Sequence, residues 1–118
     1  RTMSTTNHDQ TRYKFCYFVP PSSLVATKEA IFSTTLAGGF SSLTDASRVL
    51  YTNVTSGTGQ FIPGPDSTPD IGERGKLEVL EEVRVEMQVQ GRDNVKKVVE
   101  VAHPYEVPVY EVYKMEDF

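Results

Sequence analysis

The chain has 118 residues, of which 24% are charged and 38% apolar, and its formal net charge is −4. These values are typical of one soluble globular domain. Lys96 and Lys97 form the only adjacent basic pair, which argues against nucleic-acid binding, because phosphate recognition needs clustered cations. No apolar run approaches the roughly 20 residues that cross a bilayer, and the polar N-terminus does not resemble a secretory signal. Cys16 is the single cysteine, which favours a reducing compartment, and we expect a cytoplasmic protein.

The N-terminal segment is polar and has no period. We interpret residues 1–12 as a disordered tail in which Arg1 and Thr2 are a vector remnant and Met3 is the natural start. His8 lies in this tail, and we assign it no role. Residues 13–118 are predicted to form one domain.

The first structured element is predicted at Tyr13–Val19. Its aromatic and β-branched residues are apolar on both faces, which is typical of a central strand. Pro20-Pro21 ends the strand, and Ser22 or Ser23 is the predicted cap of a helix. Gly38-Gly39 is expected to end that helix. Its apolar stripe comprises Val25, Ile31, Phe32 and Leu36.

The central part of the chain predicts two strands and a long connection. A weaker strand is expected around Tyr51–Ile62, followed by the Gly/Pro-rich loop Pro63–Gly75. From Leu77 to Val89 apolar and polar residues alternate, and this period of two predicts a strand half buried against helices. Glu81 is the exception on its apolar face.

The C-terminal part predicts a helix and a final strand. Asp93 or Asn94 is the predicted helix cap, and Pro104 bounds the helix. Its apolar stripe comprises Val95, Val98, Val99 and Ala102. Val107–Met115 is β-branched and aromatic, and Pro108 places it at a sheet edge.

This order of elements predicts an α+β, ferredoxin-like βαββαβ fold with a four-stranded antiparallel sheet and two helices on one face. Two helices leave the other face open, and we expect apolar surface to remain there. The residues expected to supply that surface are Tyr13, Tyr17, Phe18, Tyr110, Val112 and Tyr113. Self-association would cover such a face. We therefore predict a homo-oligomer, a cyclic trimer, with the corner His103–Glu106 near the boundary between subunits.

Four ordered motifs together indicate a family. They are "KFCYFVPPSSLVATKEAIF", "GTGQFIPG", "LEEVRVEM" and "AHPYEVPVYEVYKMEDF". Over Tyr13–Phe118 the chain resembles the small inserted domain of the NGG-interacting factor three family, which also occurs as a stand-alone protein of about this length. "HPYEVP" is more distantly similar to the C-terminal signature of the divalent-cation tolerance protein CutA, whose trimers share the PII-like fold. The resemblance implies a CutA/PII-like fold. It does not imply enzyme chemistry, because full-length members hold their dinuclear metal site in flanking domains.

The stretch His103-Pro104-Tyr105-Glu106 is the first candidate site. In a catalytic interpretation His103 is a general base, Glu106 orients it and Tyr105 donates, but no nucleophile is placed nearby. In a structural interpretation His103 interacts with the free carbonyls at the helix end while the ring of Tyr105 is buried. A third interpretation is a ligand site or subunit cleft lined by His103, Tyr105 and Glu106. No catalytic residue is assigned.

A metal site is a weaker hypothesis. Its candidate ligands are Cys16, His103 and Glu106, and the CutA likeness is its chief support. A structural zinc site normally uses four Cys or His ligands, whereas the predicted domain has one of each. A cysteine in a buried strand more often behaves as a small hydrophobe. A divalent metal ion is the one cofactor that we consider.

The glycines of "GTGQFIPG" are the last candidate. Gly57, Gly59 and Gln60 would form a phosphate cradle if the glycines stood in successive turns, although no GK[ST] follows as in a P-loop. In PII-like proteins the corresponding loop reaches toward partners or covers a nucleotide. The alternative is an ordinary hairpin connection.

Together these observations favour a non-enzymatic, oligomeric CutA/PII-like module that binds a small ligand, a metal ion or a protein partner. One alternative is a metal-dependent hydrolase related to the full-length family. Another is a monomeric adaptor that binds a partner.

Overall fold

The computed structural model describes residues 9–41, 48–50, 52–69, 71–103 and 110–118. Its six strands are β1 (Arg12–Val19), β2 (Gly39–Ser41), β3 (Arg48–Leu50), β4 (Asn53–Phe61), β5 (Glu78–Gln90) and β6 (Tyr110–Lys114). Its helices are α1 (Leu24–Ser33), which follows a 3-10 turn at Pro21–Ser23, and α2 (Arg92–Ala102).

The main sheet has four antiparallel strands in the order β4-β5-β1-β6. The first strand is therefore central and the last strand lies at an edge, and the predicted ferredoxin-like fold is confirmed. A second sheet, formed by the short strands β2 and β3, was not predicted. Three-residue strands carry too few residues for a period of two to be recognised.

Both helices cover the face of the sheet that receives alternate residues of β1 and β5. This alternation places the aromatic residues of β1 against the valines of β5 and the apolar stripe of α2. The buried cluster comprises Phe15, Tyr17, Val19, Ile31, Ala37, Val83, Val85, Met87, Val89, Val98 and Ala102.

Helix α1 differs from its prediction at both ends and on its buried face. Ser23 occupies the N-cap position, but its side chain makes no capping bond. The helix ends at Ser33, before Gly38, because the Thr34 hydroxyl accepts a hydrogen bond from the Leu36 amide and Thr35 turns to a φ of 60°. Val25 is 63% exposed, so its place on the predicted stripe is wrong. The buried residues of the helix are Thr27 and Ile31.

Helix α2 has the predicted stripe but a different cap. Its N-cap is Gly91, at a φ of 86°, and no capping bond comes from the N-cap side chain. Instead the Asp9 carboxylate accepts from the Arg92 amide at 3.1 Å and from the Thr11 amide at 2.9 Å. The hydrogen bonding to Thr11, and to a smaller extent that to Arg92, lowers the pKa of the Asp9 carboxyl below its usual value. The prediction of Asp93 or Asn94 as the cap is corrected accordingly.

The predicted tail therefore overlaps the fold at its last residues. Asp9 caps α2, and Arg12 begins β1 and forms an ion pair with Asp117. Residues 1–8, with His8, lie outside the described residues.

The open face of the sheet is not the apolar surface that was predicted. The pairing of β1 with β6 turns Tyr13, Tyr17, Tyr110 and Val112 toward the helices. Phe18 and Tyr113 are the two predicted residues that lie on the open face.

Charged side chains dominate the open face instead. Glu86 accepts from Lys14 at 3.2 Å and from Arg84 at 3.0 Å. The guanidinium of Arg84 also lies 5.8 Å from the centre of the Phe18 ring. Surface ion pairs of this kind contribute little net stability, but they give the face mixed charge.

The final strand begins, among the described residues, at Tyr110. The predicted start at Val107, together with Pro108, lies outside the described residues. Among the residues described, neither helix combines the length and the apolar character that a bilayer span requires.

Candidate functional site

His103 lies at the end of α2, where its backbone amide donates to the Val99 carbonyl. Its side chain is exposed and borders a cavity of about 20 Å³. The other lining residues are Phe15, Val99, Ala102 and Tyr110. This volume holds about one water molecule. Pro104, Tyr105 and Glu106 lie outside the described residues. The site predicted at His103, Tyr105 and Glu106 therefore stays a prediction.

The structure does not bring the metal candidates Cys16 and His103 together. Cys16 alternates with the core residues Phe15 and Tyr17, so it lies on the open face, whereas α2 carries His103 on the covered face. Burial raises the pKa of the Cys16 thiol, which favours the neutral form over a metal-binding thiolate. Within the described ranges, no three His, Cys, Asp or Glu side chains converge on one point.

The glycine candidates lie in a strand rather than in turns. Gly57 pairs with Glu82, Gly59 with Leu80 and Gln60 with Val79. Neither glycine has a positive φ. A cradle of successive turn amides requires left-handed or turn conformations, so the extended backbone here does not form one.

These glycines instead belong to a projecting arm. We use "the arm" for residues 57–61 of β4, the paired residues 78–82 of β5, and the connection between them. Strand β1 pairs with β5 from Val83 to Gln90. Among the described residues, the two strands of the arm therefore pair only with each other. Five strand residues extend about 16 Å.

The arm exposes apolar side chains. Leu77 is 57% exposed and Val79 is 52% exposed, which corrects the predicted burial of these two positions. Phe61, Ile62 and Ile71 of the arm are exposed as well. Helices cover the sheet only up to Val83, so the alternating pattern of β5 continues past the surface that could bury it.

Two hydrogen bonds join residues within the connection of the arm. The Gly75 amide donates to the Pro63 carbonyl at 2.9 Å, and the Arg74 guanidinium donates to the Ser67 carbonyl at 2.6 Å. Gly75 has a φ of 76°, which a residue with a Cβ adopts only under strain. The Gly and Pro residues of this segment predicted a loop. They did not predict that Pro63 and Gly75 would be joined by a hydrogen bond.

Glu82 is a functional candidate that sequence reasoning missed. A Cβ atom at Gly59 would lie 2.7 Å from Oε1 of Glu82. The Glu82 carboxylate therefore lies across β4, in the space that a side chain at Gly59 would fill. The sequence carries a signal for this contact only once the register of β4 against β5 is known.

The order of the sheet and the helices on one face define an α+β, ferredoxin-like protein with a PII-like architecture. The structure of Bacillus subtilis GlnK is similar to this protein over 90% of this chain and 86% of the GlnK chain, with a TM-score of 0.59 and 14% identity. This level of identity supports the fold alone.

The closer similarity is to proteins of the predicted family. A Bacillus cereus protein related to NIF3 matches 94% of this chain with a TM-score of 0.69 and 28% identity. A protein of Halalkalibacterium halodurans is 35% identical over 109 residues, and one of Listeria innocua is 41% identical over 64 residues. Both are named GTP cyclohydrolase 1 type 2 homolog. The resemblance to the NGG-interacting factor three family is thereby confirmed.

The similarity covers only part of these relatives. The chain spans 17% of the Listeria protein, and 27% of both the Halalkalibacterium protein and the Bacillus cereus chain. The matched residues make up 87% of this chain for the Halalkalibacterium protein and 52% for the Listeria protein. No family model matches the chain.

Proposed function

We propose that the chain is a non-enzymatic, oligomeric CutA/PII-like module that uses its arm to bind a protein partner. The observation that carries the proposal is the arm itself, a two-stranded extension with exposed apolar side chains. A partner that buried these side chains would remove their apolar area from water, at about 25 cal/mol per Å² before the costs of association.

The conformation of the arm agrees with such a role. An isolated two-stranded ribbon is only marginally stable in water. Contact with a partner would order the ribbon and add a hydrophobic face to it. Loops and extensions placed on a rigid scaffold are frequent sites of binding.

The test compares an arm variant with a matched surface variant. Phe61→Ser combined with Ile62→Ser removes two exposed apolar groups of the arm, whereas Val25→Ser removes one from α1, which is not part of the arm. Tagged versions of both proteins and of the wild type are used for quantitative affinity capture from extracts. We expect specific partners to be lost with the arm variant and retained with Val25→Ser.

Equal capture by all three proteins would refute the arm as the binding element. Circular dichroism and thermal unfolding serve as controls. Because the changed side chains are exposed, the stability of each variant should stay within about 0.5 kcal/mol of the wild type.

The oligomer in this proposal is a cyclic trimer. Tyr110, Val112 and Tyr113 of the edge strand are exposed, and contact between subunits would bury them. The mixed charges of the open face can pair across a symmetric interface. Light scattering at micromolar concentration is expected to give three times the subunit mass, and a monomer mass would refute the trimer.

The proposal also includes a small ligand or a divalent metal ion near His103. His103→Ala should leave the fold intact, because the side chain is exposed, and should abolish any thermal stabilisation by nucleotides or divalent ions. The hypothesis fails if no compound stabilises the wild type. Tyr105 and Glu106, the other predicted residues of such a site, lie outside the described residues. The single buried cysteine supports a cytoplasmic location in this proposal.

A metal-dependent hydrolase is the second candidate, because the relatives are named GTP cyclohydrolase 1 type 2 homolog. Metal analysis of the purified protein and an assay of GTP turnover with Mg²⁺, Mn²⁺ or Zn²⁺ test it. Turnover that chelation abolishes would favour this candidate. A monomer mass with arm-dependent capture would favour a monomeric adaptor instead.

A further inference from the structure

Strand β4 forms an unprotected edge of the sheet. It has nine residues and lies at the end of the strand order. All of its residues are exposed except Gly59, which is half-buried. From Val54 to Phe61, its outer side forms no backbone hydrogen bond with any other described element.

The composition of β4 lacks the usual protection of a free edge. Natural edge strands carry Lys, Pro or bulges that prevent pairing with another chain. The sequence "NVTSGTGQF" contains no charged residue and no proline, and its pairing with β5 runs without a bulge from Asn53 to Phe61. The edge is therefore a regular template for one more strand.

Glu82 favours an added strand that carries a positively charged side chain. Gly57 and Gly59 present no side chain on the face that Glu82 shares with them, and the carboxylate lies over Gly59. An added strand would lie about 4.8 Å beyond β4, within reach of a Lys or Arg side chain that extends toward Glu82.

The nearest cation on the same face of β5 as Glu82 is Arg84, and it pairs with Glu86 instead. Among the described residues, no ion pair forms to Glu78, Glu81 or Glu82. Lys76 instead pairs with Glu73. An incoming basic side chain would therefore meet an acidic arm beside a neutral edge strand.

We propose that the free edge of β4 binds an extended protein segment that carries Lys or Arg at alternate positions. The backbone of the segment pairs with β4, and one of its cations binds the Glu82 carboxylate. Strand addition of this kind takes its affinity from the main chain and its specificity from alternate side chains. This inference rests on the proposed role of the arm and names the class of partner segment.

A second copy of this chain fits the edge less well through its own β4. That strand has no Lys or Arg to offer Glu82. The β6 strand of a second copy carries Lys114, so pairing of β4 with β6 between copies is an outcome that the experiment must separate.

The experiment uses a fluorescein-labelled nonapeptide of alternating Lys and Thr, with an alternating Glu and Thr peptide as the reversed probe. Binding is measured by fluorescence anisotropy, and the site is mapped by amide shifts of ¹⁵N-labelled protein. We expect the Lys peptide to bind and to shift amides of residues 53–61. Glu82→Gln should weaken binding about threefold, as for an exposed ion pair.

Two further variants make the test specific. Gly59→Thr places a side chain in the path of the Glu82 carboxylate and should weaken binding to a similar extent. Glu81→Gln is the matched control, because it removes the same charge from the opposite face of the arm and should leave binding unchanged. Glu82→Lys should reverse the preference toward the Glu peptide.

Several results would overturn the proposal. These are absence of Lys-peptide binding to the wild type, equal loss in Glu81→Gln and Glu82→Gln, or amide shifts that lie away from β4. If light scattering gives a lower mass for Glu82→Gln than for the wild type, the edge of β4 binds a second copy of this chain instead. If the peptide fails but capture still depends on Phe61 and Ile62, only strand addition is refuted; if both fail, the proposed function is refuted as well.

Discussion

Replacing Thr27 with Val should destabilise the protein more than removing the hydroxyl of its partner, Tyr17. The Tyr17 hydroxyl donates to Oγ1 of Thr27 at 3.0 Å. The Thr27 hydroxyl in turn contacts the Ser23 carbonyl at 2.8 Å, to which it donates. Both residues are fully buried, so water cannot replace a lost partner.

The two substitutions leave different groups unsatisfied. Thr27→Val leaves the Tyr17 hydroxyl buried without an acceptor, which costs about 1–3 kcal/mol. Tyr17→Phe removes one hydrogen bond while Thr27 still donates to a carbonyl, which costs about 1 kcal/mol. In the double variant no phenol remains to be satisfied, so its loss should be smaller than the sum of the single losses by about 1 kcal/mol. Thr and Val have similar helix propensity.

Urea unfolding of the four proteins at pH 7 measures these free energies. Thr58→Val, on the exposed arm, is the control for hydroxyl removal and should change stability by less than about 0.5 kcal/mol. Additive losses, or a larger loss in Tyr17→Phe than in Thr27→Val, would refute the assigned hydrogen bond. Burial raises the pKa of Tyr17 above 10.0. The neutral Tyr17 hydroxyl therefore contributes fully to the free energy of unfolding below pH 10, and this contribution is lost as the pH rises further.

Three other predictions concern the core and the cap. Asp9→Ala should lower the thermal midpoint; because the pKa of Asp9 is lowered, the difference from the wild type should be full above pH 3.8 and shrink as the pH falls below it. Val98→Ala should cost about 2 kcal/mol in urea unfolding, whereas Val25→Ala should cost less than about 0.5 kcal/mol, and equal losses would contradict the assigned faces. Cys16 should react slowly with iodoacetamide at pH 8 in the folded protein and quickly in urea, because burial both blocks the thiol and raises its pKa; equal rates would show that the thiol is accessible.

Periodicity predicted the parts of the fold whose burial is regular. The alternation at Val83, Val85, Met87 and Val89 and the stripe of α2 each face one continuous apolar surface, and the structure buries them as predicted. The order of elements then specified the sheet, because a ferredoxin-like arrangement leaves few other ways to pair four strands.

Local sequence signals failed where a distant partner or a competing side chain decides the local structure. Asp9 caps α2 across 83 positions of sequence, so the capping rules pointed to nearer residues. Thr34 ended α1 early through its own hydroxyl, although the glycines that follow were the stronger sequence signal. Gly57 and Gly59 suggested a phosphate cradle, but they pair with β5 within the strand that was expected around Tyr51–Ile62. Tyr105 and Glu106 lie outside the described residues and are still candidates from sequence alone.

Leu77, just before β5, and Val79, within it, give the sequence pattern a further meaning. Leu77 and Val79 continue the alternation of the buried valines, yet no described element of the chain covers them. An alternating apolar face favours burial whichever molecule provides the cover. The pattern of β5 thus includes a part that packs against the helices of its own chain and, under the proposed function, a part along the arm that contacts another protein molecule.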